Sequence, residues 1–417
     1  MGLFTAAISL RGVPARSASP IPVASRQAAT DGNHLFANNV RFLSMVAIVG
    51  IHCLETYPCF HLPQIYLIQP LKFGTIAFFL VAGFLFGERI DRDSSLRYYG
   101  RRLKNVFLPW SFWYLVYCGF LVAAAVWHGR ISLHSGNLLH QVGPIFSFGL
   151  LNTAYWFVPN LLVALAVLLI FRRVLKDIRM GGVFLLLSLF YAINIYGHWI
   201  AEQHPRAVFG FVFYLWLGAW GSWHFSTVEK WLSRISPAVM MGLVLLTTAL
   251  ALGEAKLLLS LHSSDPTNSL RITNQLFSVV VVLAIMKLRH AVWPRFVDVR
   301  AHTFGLYLTH TAALALCGAI LVRLVPPGGP AHFWSRAPGM LVLLVTIFGC
   351  VYGGCLLLVR LLLSCRWLRW TVGLAGRGRT DQARALPQAL PSAGEWVRPL
   401  ASTAQRNFAR TATLPES

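Results

Sequence analysis

Charged residues are scarce in this chain. They make up 12% of its 417 residues, whereas hydrophobic residues make up 56%. A soluble protein would be about a quarter charged, so this scarcity argues against a soluble globular protein. Long apolar runs occur at 105–127, 150–171, 237–253 and 338–363. Each approaches or exceeds the ~20 residues that cross a bilayer as a helix, and the composition therefore predicts a membrane protein.

Acidic residues are few. The chain has 14 Asp and Glu against 36 Lys and Arg, which gives a formal net charge of +22. In a soluble protein this charge would suggest a nucleic-acid partner. In a membrane protein it follows from basic residues in short cytoplasmic loops, which fix the topology. We therefore expect membrane lipids, and no nucleic acid, among the partners.

Several motifs with well-defined chemistry are absent. The seven cysteines form no C-x-x-C pair and the histidines show no H-E-x-x-H spacing, so the sequence predicts no metal site. No Walker or G-x-G-x-x-G loop is present to bind ATP or a dinucleotide. The lack of a G-x-S-x-G elbow argues against a Ser-His-Asp acyl-enzyme route.

The apolar segments predict an all-α fold, because backbone groups that face lipid must be hydrogen-bonded within their own segment. Their number predicts a polytopic integral membrane protein with about ten transmembrane helices. The predicted spans lie near residues 40–57, 73–87, 105–127, 151–171, 181–198, 207–224, 237–253, 274–288, 302–322 and 338–363.

Lys and Arg are concentrated in alternate connections between these spans. The basic connections are 88–105, 172–179 and 287–300, and the connections with far fewer basic residues are 58–72, 198–206 and 254–273. The positive-inside rule then places both termini in the cytoplasm.

Polar segments flank the apolar region. Residues 1–33 predict a disordered N-terminal leader, whose composition fits a transit peptide and a cytoplasmic extension equally well. Residues 371–417 predict a disordered basic C-terminal tail. Between them, residues 35–365 are interpreted as one transmembrane domain, because no internal repeat divides them.

The first span has ionisable residues near both of its ends. It reads NNVRFLSMVAIVGIHCLE over residues 38–55, and Arg41 and His52 stand eleven positions apart. At ~100° and 1.5 Å per residue they lie on one helix face, ~16 Å apart along the axis. Glu55 follows His52 at i+3 and can orient or charge it. Alone, Arg41 is explained as a topology anchor and His52 as a packing residue. Together they indicate a site, because ionisable groups are costly in lipid.

This arrangement resembles the R-x10-H signature of the acyltransferase-3 family of integral membrane O-acyltransferases. Further blocks follow in the family's order, and the similarity covers roughly residues 35–365. The blocks are GTIAFFLVAGFLFGER (74–89), YYGRRLKNVFLPW (98–110), YWFVPNLLVAL (155–165) and TFGLYLTHTAAL (303–314).

The resemblance implies transfer of an acyl group from a cytoplasmic acyl-CoA to a hydroxyl of a glycan or lipid-linked sugar. It also implies a bacterial cytoplasmic (inner) membrane location. Acetyl, from acetyl-CoA, is the default acyl group, and succinyl or longer chains stay open. By the first-span match, His52 is the catalytic base, with Glu55 beside it, and Arg41 binds the donor or organises the site. A neutral imidazole is a suitable general base near pH 7.

Each of the other candidate site residues has both a structural and a functional explanation. The residues of the basic block are Arg101, Arg102 and Lys104. Their position is explained equally well by the positive-inside rule and by binding of the phosphates of coenzyme A, and the resemblance favours donor binding.

Tyr307 and His310 form an i,i+3 pair that either packs against other helices or supports the active site. Trp156 is either an interfacial belt residue or a wall of the acceptor site.

The chain departs from the family pattern at three positions. Asn38 stands where the family often has Asp, Asn105 interrupts the R-x-x-R form of the basic block, and Ala82 replaces a Ser of the second span. These departures concern the donor side more than the base.

Two other classes of function compete with catalysis. A transporter or flippase of a lipid-linked sugar or anionic metabolite would also be polytopic and basic. Transporters often show related halves, however, and no such symmetry is visible here. An inactive scaffold is the other rival, and the presence of both Arg41 and His52 argues against it.

Overall fold

A computed structural model describes residues 23–56, 65–132, 137–324 and 337–373. These residues form helices and no strand, which confirms the all-α prediction for the part of the chain that is described. The helices are α1 Val23–Thr56, α2 Ile65–Ile68, α3 Gly74–Gly87, α4 Ser95–Arg102, α5 Leu108–Trp127, α6 Leu138–Leu151, α7 Phe157–Ile170, α8 Ile178–Gly197, α9 Val212–Trp223, α10 Phe225–Arg234, α11 Pro237–Ser260, α12 Ile272–Met286, α13 Val299–Leu324 and α14 Ala337–Ser364.

Seven segments of the described chain are long and apolar enough to cross a membrane, and there are eight if the bent pair α6–α7 is counted as one span. A multi-pass membrane protein is therefore confirmed, whereas the count of about ten spans is not. Two predicted spans correspond to the short helices α9, of 12 residues, and α12, of 15 residues. At 1.5 Å per residue these reach only ~18 and ~22 Å, less than the ~30 Å of a hydrocarbon core.

The predicted leader and tail are only partly described. Helix α1 begins at Val23, inside the segment predicted as a leader. Residues 1–22 of that leader, and residues 374–417 of the predicted tail, lie outside the described residues. At the C-terminal side, the Trp113 indole N–H donates to the Thr371 carbonyl over 2.9 Å. Residues 369–372 form a short 3₁₀ turn there.

The connections predicted as cytoplasmic meet at one end of the helices. Lys176 pairs with Asp91 over 2.8 Å, and the Asn39 side-chain amide donates to the His290 carbonyl over 3.0 Å. We call this the basic end. The opposite end of α1, where His52 lines a cavity with Lys72 and His204 and where His204 contacts Asp265, is called the histidine end.

Helices α3 and α9 cross in direct backbone contact. A Cβ atom built on Gly83 would lie 1.9 Å from the Leu215 carbonyl oxygen, and one on Gly218 would lie 2.0 Å from the Leu80 carbonyl oxygen. In lipid, helices gain little from hydrophobicity when they associate, so small residues that permit close van der Waals contact fill their interfaces. This crossing fixes α3, which carries one wall of the site described below.

We therefore expect Gly218→Ala to destabilise the protein, because backbone atoms of α3 occupy the space of the added methyl group. Overpacking of this kind costs about 1–3 kcal/mol. The matched control is Gly182→Ala, at a helical glycine whose Cβ would meet no atom within 4 Å. Thermal denaturation in detergent measures both. Equal melting temperatures for the two variants would contradict a close α3–α9 crossing.

Candidate active site

Glu55 connects two ionisable residues at the histidine end. His52 and Glu55 are one turn apart near the end of α1, with Nδ1 and Oε2 3.5 Å apart. The other carboxylate oxygen lies 3.3 Å from Lys72 Nζ, just before α3. Lys72 has only 5% of its side chain exposed, so its ammonium requires this acidic partner.

A small cavity of about 50 Å³ lies beside these groups. Between α6 and α7 the chain bends by 72°, and this break places Ala154, Trp156 and Phe157 on the cavity wall. Broken helices in membrane proteins typically line a cavity of this kind. The Tyr307 hydroxyl donates to the Ala154 carbonyl over 2.7 Å and fixes α13 to the break. The cavity is lined by Ile48, Ile51, His52, Glu55, Lys72, Thr75, Phe78, Ala154, Trp156, Phe157, His204 and Tyr307.

His310 lies next to His52, although it is not among the residues that line the cavity. The two ring centroids are 5.4 Å apart, and His310 is fully buried. Its Nδ1 is 2.7 Å from the Tyr307 carbonyl oxygen. A carbonyl only accepts, so Nδ1 bears the proton and Nε2 has the lone pair. Within the described chain, Nε2 has no hydrogen-bond partner.

Three residues of the histidine end were missed by the sequence reasoning. Lys72 and His204 line the cavity, and His204 Nδ1 lies 2.6 Å from Asp265 Oδ2. His204 and Asp265 are 61 positions apart and belong to two different connections. No spacing rule joins such residues. The sequence indicated only that both connections lie on the same side of the membrane, because both are poor in Lys and Arg.

A second cavity, of about 150 Å³, lies towards the basic end. Arg41 and Arg102 line it together, although they come from α1 and α4. The Arg102 guanidinium donates to the Tyr98 hydroxyl over 2.9 Å and lies 5.0 Å from the centre of its ring. The cavity is lined by Arg41, Phe78, Val81, Ala82, Leu85, Tyr98, Arg102, Val106, Phe157, Leu161, Leu162, Leu165 and Leu215.

The other two residues of the basic block lie elsewhere. Arg101 forms an ion pair with Asp93, and its hydrogen bond holds the pKa of the Asp93 carboxyl below its usual range. Lys104 is exposed in a π-helical turn, Leu103–Phe107, that joins α4 to α5. Consecutive helical residues point ~100° apart, so Arg101 and Arg102 face different surroundings.

The departures from the family pattern lie mostly near the basic-end cavity. The Asn38 side-chain oxygen accepts from the Arg41 guanidinium over 3.4 Å, and Ala82 is part of the cavity wall. The Asn105 carbonyl oxygen lies close to Gly373, where a Cβ would be 2.8 Å from it.

Phe78 and Phe157 line both cavities. Their ring centroids are 6.0 Å apart with an interplanar angle of 63°. The two ends of the Arg41–His52 stripe therefore lead into two cavities that share an aromatic wall. Among the described residues, no group of three or more His, Cys, Asp or Glu is suited to hold a metal ion.

The fold and site define a multi-pass membrane protein with two cavities. Arg41 and Arg102 line one of them, and His52 and His204 line the other. A family model described as "Acyltransferase domain" (Acyl_transf_3) matches residues 34–360, and the chain belongs to this family. The protein is therefore an acyltransferase. No curated protein and no solved structure matches the chain.

We expect Glu55 and Lys72 to be energetically coupled. Glu55→Gln removes the charge partner of a buried ammonium, so it should lower the melting temperature more than Lys72→Met does. The double variant should recover part of that loss, because contacting charged residues show interaction energies of about 0.5–3 kcal/mol. Thermal denaturation of the four proteins in detergent gives the coupling. Strictly additive effects would mean that the Glu55–Lys72 contact contributes nothing to stability.

Proposed function

We propose that the protein transfers an acyl group, acetyl by default, from cytoplasmic acyl-CoA to a hydroxyl of a glycan or lipid-linked sugar. The donor enters at the basic end and the acceptor at the histidine end. We further propose that the protein spans a bacterial cytoplasmic membrane with both termini in the cytoplasm. Residues 35–365 then form the catalytic domain, between the N-terminal leader and the C-terminal tail.

The observation that carries this proposal is the pair of cavities with a common wall. Arg41 and Arg102 line one, His52 lines the other, and Phe78 and Phe157 belong to both. An acyl group delivered from the basic end would pass this aromatic pair to reach His52. Such a path joins a donor on one side of the membrane to an acceptor on the other.

The basic-end cavity suits the narrow part of the donor. Its volume of about 150 Å³ is well below the ~300–1,000 Å³ of pockets that enclose drug-sized ligands. The pantetheine arm therefore enters, and the nucleotide stays outside at the basic end. There the guanidinium groups of Arg41 and Arg102 attract its phosphates, and Arg101 and Lys104 add positive charge outside the cavity.

The chemistry is direct acyl transfer. His52 takes the proton of the acceptor hydroxyl while that oxygen attacks the thioester carbonyl carbon. The Lys72 ammonium stabilises the negative charge that develops on the carbonyl oxygen. The new C–O bond forms, the C–S bond breaks, and the proton passes from His52 to the sulfur, so coenzyme A leaves as its thiol. Glu55 orients His52, and Trp156, Tyr307 and His310 shape and support the acceptor side.

The proposal predicts loss of acyl transfer in His52→Ala. General base catalysis contributes about 10²–10⁴-fold, so incorporation of label should fall by that factor. Arg41→Ala should raise the KM for acetyl-CoA. The measurement follows radiolabel from acetyl-CoA into cell-envelope glycans and lipids, using membranes with matched protein levels. The controls are His140→Ala and Arg173→Ala, whose exposed side chains line neither cavity.

The outcomes separate the parts of the proposal. Equal incorporation by wild type and His52→Ala would remove His52 as the base. If wild-type membranes incorporate no label from acetyl-CoA, succinyl-CoA and longer acyl-CoA donors are tested next. Failure of all these donors would contradict the proposed reaction.

A further inference from the structure

His204 is held in the histidine-end cavity by two groups. It begins the 3₁₀ turn His204–Arg206, which lies between α8 and α9. Asp265, between α11 and α12, accepts from the His204 backbone N–H over 3.2 Å and lies 2.6 Å from Nδ1. The imidazole of His204 and the indole of Trp156 meet edge to face, with ring centroids 5.0 Å apart and an interplanar angle of 77°. The backbone and the imidazole of His204 are thus fixed together.

The carboxylate sets the tautomer of this imidazole. Burial opposes ionisation of Asp265, but the adjacent His204 outweighs burial and holds the pKa of the Asp265 carboxyl below its usual range. An ionised carboxylate only accepts hydrogen bonds, so Nδ1 bears the proton. Nε2 is then the ring atom left for a ligand: it accepts a hydrogen bond when the ring is neutral and donates one when the ring is protonated.

His204 shares its cavity with the proposed base. Both His204 and His52 line the space of about 50 Å³, which is room for only a few water-sized groups, since one water needs roughly 10–15 Å³ by the same measure. Each imidazole lies beside a carboxylate, Asp265 for His204 and Glu55 for His52. The same small space therefore offers a ligand two imidazoles, each beside a carboxylate.

We propose that His204 and Asp265 form an acceptor-binding pair, in which His204 Nε2 hydrogen-bonds to the hydroxyl next to the one that His52 deprotonates. The proposal rests on the proposed function and narrows its substrate class. The acceptor is a sugar or polyol with neighbouring hydroxyls, and a simple alcohol would leave one imidazole unsatisfied. A site built to bind a hydroxyl discriminates strongly against a compound that lacks it. Asp265 is a positioning residue that acts through His204.

Kinetics of His204→Gln and Asp265→Asn test the pair. The assay uses membranes with labelled acetyl-CoA as the donor and a host cell-envelope fraction as the acceptor. We expect the apparent KM for the envelope fraction to rise by about tenfold, the effect of one lost hydrogen bond. The KM for acetyl-CoA should stay unchanged, which also shows that the variants are folded.

The matched control is His198→Gln. His198 belongs to the same connection and pairs with Glu202 over 3.4 Å, but it is half exposed and does not line the cavity. This variant should retain the wild-type KM for both substrates. An unchanged acceptor KM in His204→Gln would overturn the proposal, as would an equal rise in the KM for acetyl-CoA.

Periodate treatment of the envelope fraction tests the substrate class without any variant. Periodate cleaves the bond between carbons that bear neighbouring hydroxyls. With wild-type protein, we expect treated envelope to accept several-fold less label than mock-treated envelope. Equal labelling of the two would overturn the requirement for neighbouring hydroxyls. No transfer to untreated envelope from any acyl-CoA would instead mean that the proposed function itself is wrong.

Discussion

An ionisable group inside a membrane-spanning bundle needs a partner, because neither lipid nor apolar side chains solvate a charge. Glu55 meets this need for His52 and Lys72 at once, with contacts of 3.5 and 3.3 Å. The contact joins α1 to the segment that leads into α3. The position of the cavity follows from it, because His52 and Lys72 line the same space. Without Glu55, a buried ammonium would stand beside the imidazole that we propose as the base.

Helix packing provides the compartments around this contact. The glycines at the α3–α9 crossing bring the two backbones together, and α3 presents Phe78 towards Phe157 at the bend between α6 and α7. These two rings border the arginine-lined cavity on one side and the histidine-lined cavity on the other. In our proposal, a dry aromatic wall keeps water from the thioester while allowing a narrow acyl arm to reach His52.

The sequence was informative wherever the signal lay within one helix or in the order of blocks. Helical periodicity placed Arg41 and His52 on one stripe, and the block order indicated the family. The count of about ten spans is not confirmed, because an apolar run reveals composition and not helix length, as α9 and α12 illustrate. Among the basic residues, helix rotation decides that Arg102 lines the cavity and Arg101 does not. The His204–Asp265 pair arises from two separate connections, so only tertiary structure reveals it.

The central claim is that donor and acceptor meet from opposite sides of a membrane. Sealed vesicles test it directly, because acetyl-CoA is charged and does not cross lipid. Inverted vesicles, with the cytoplasmic face outward, should label their envelope acceptor when acetyl-CoA is added outside. Right-side-out vesicles should do so only after permeabilisation. Equal labelling by intact vesicles of both orientations, with His52→Ala inactive in each, would contradict transfer across the membrane.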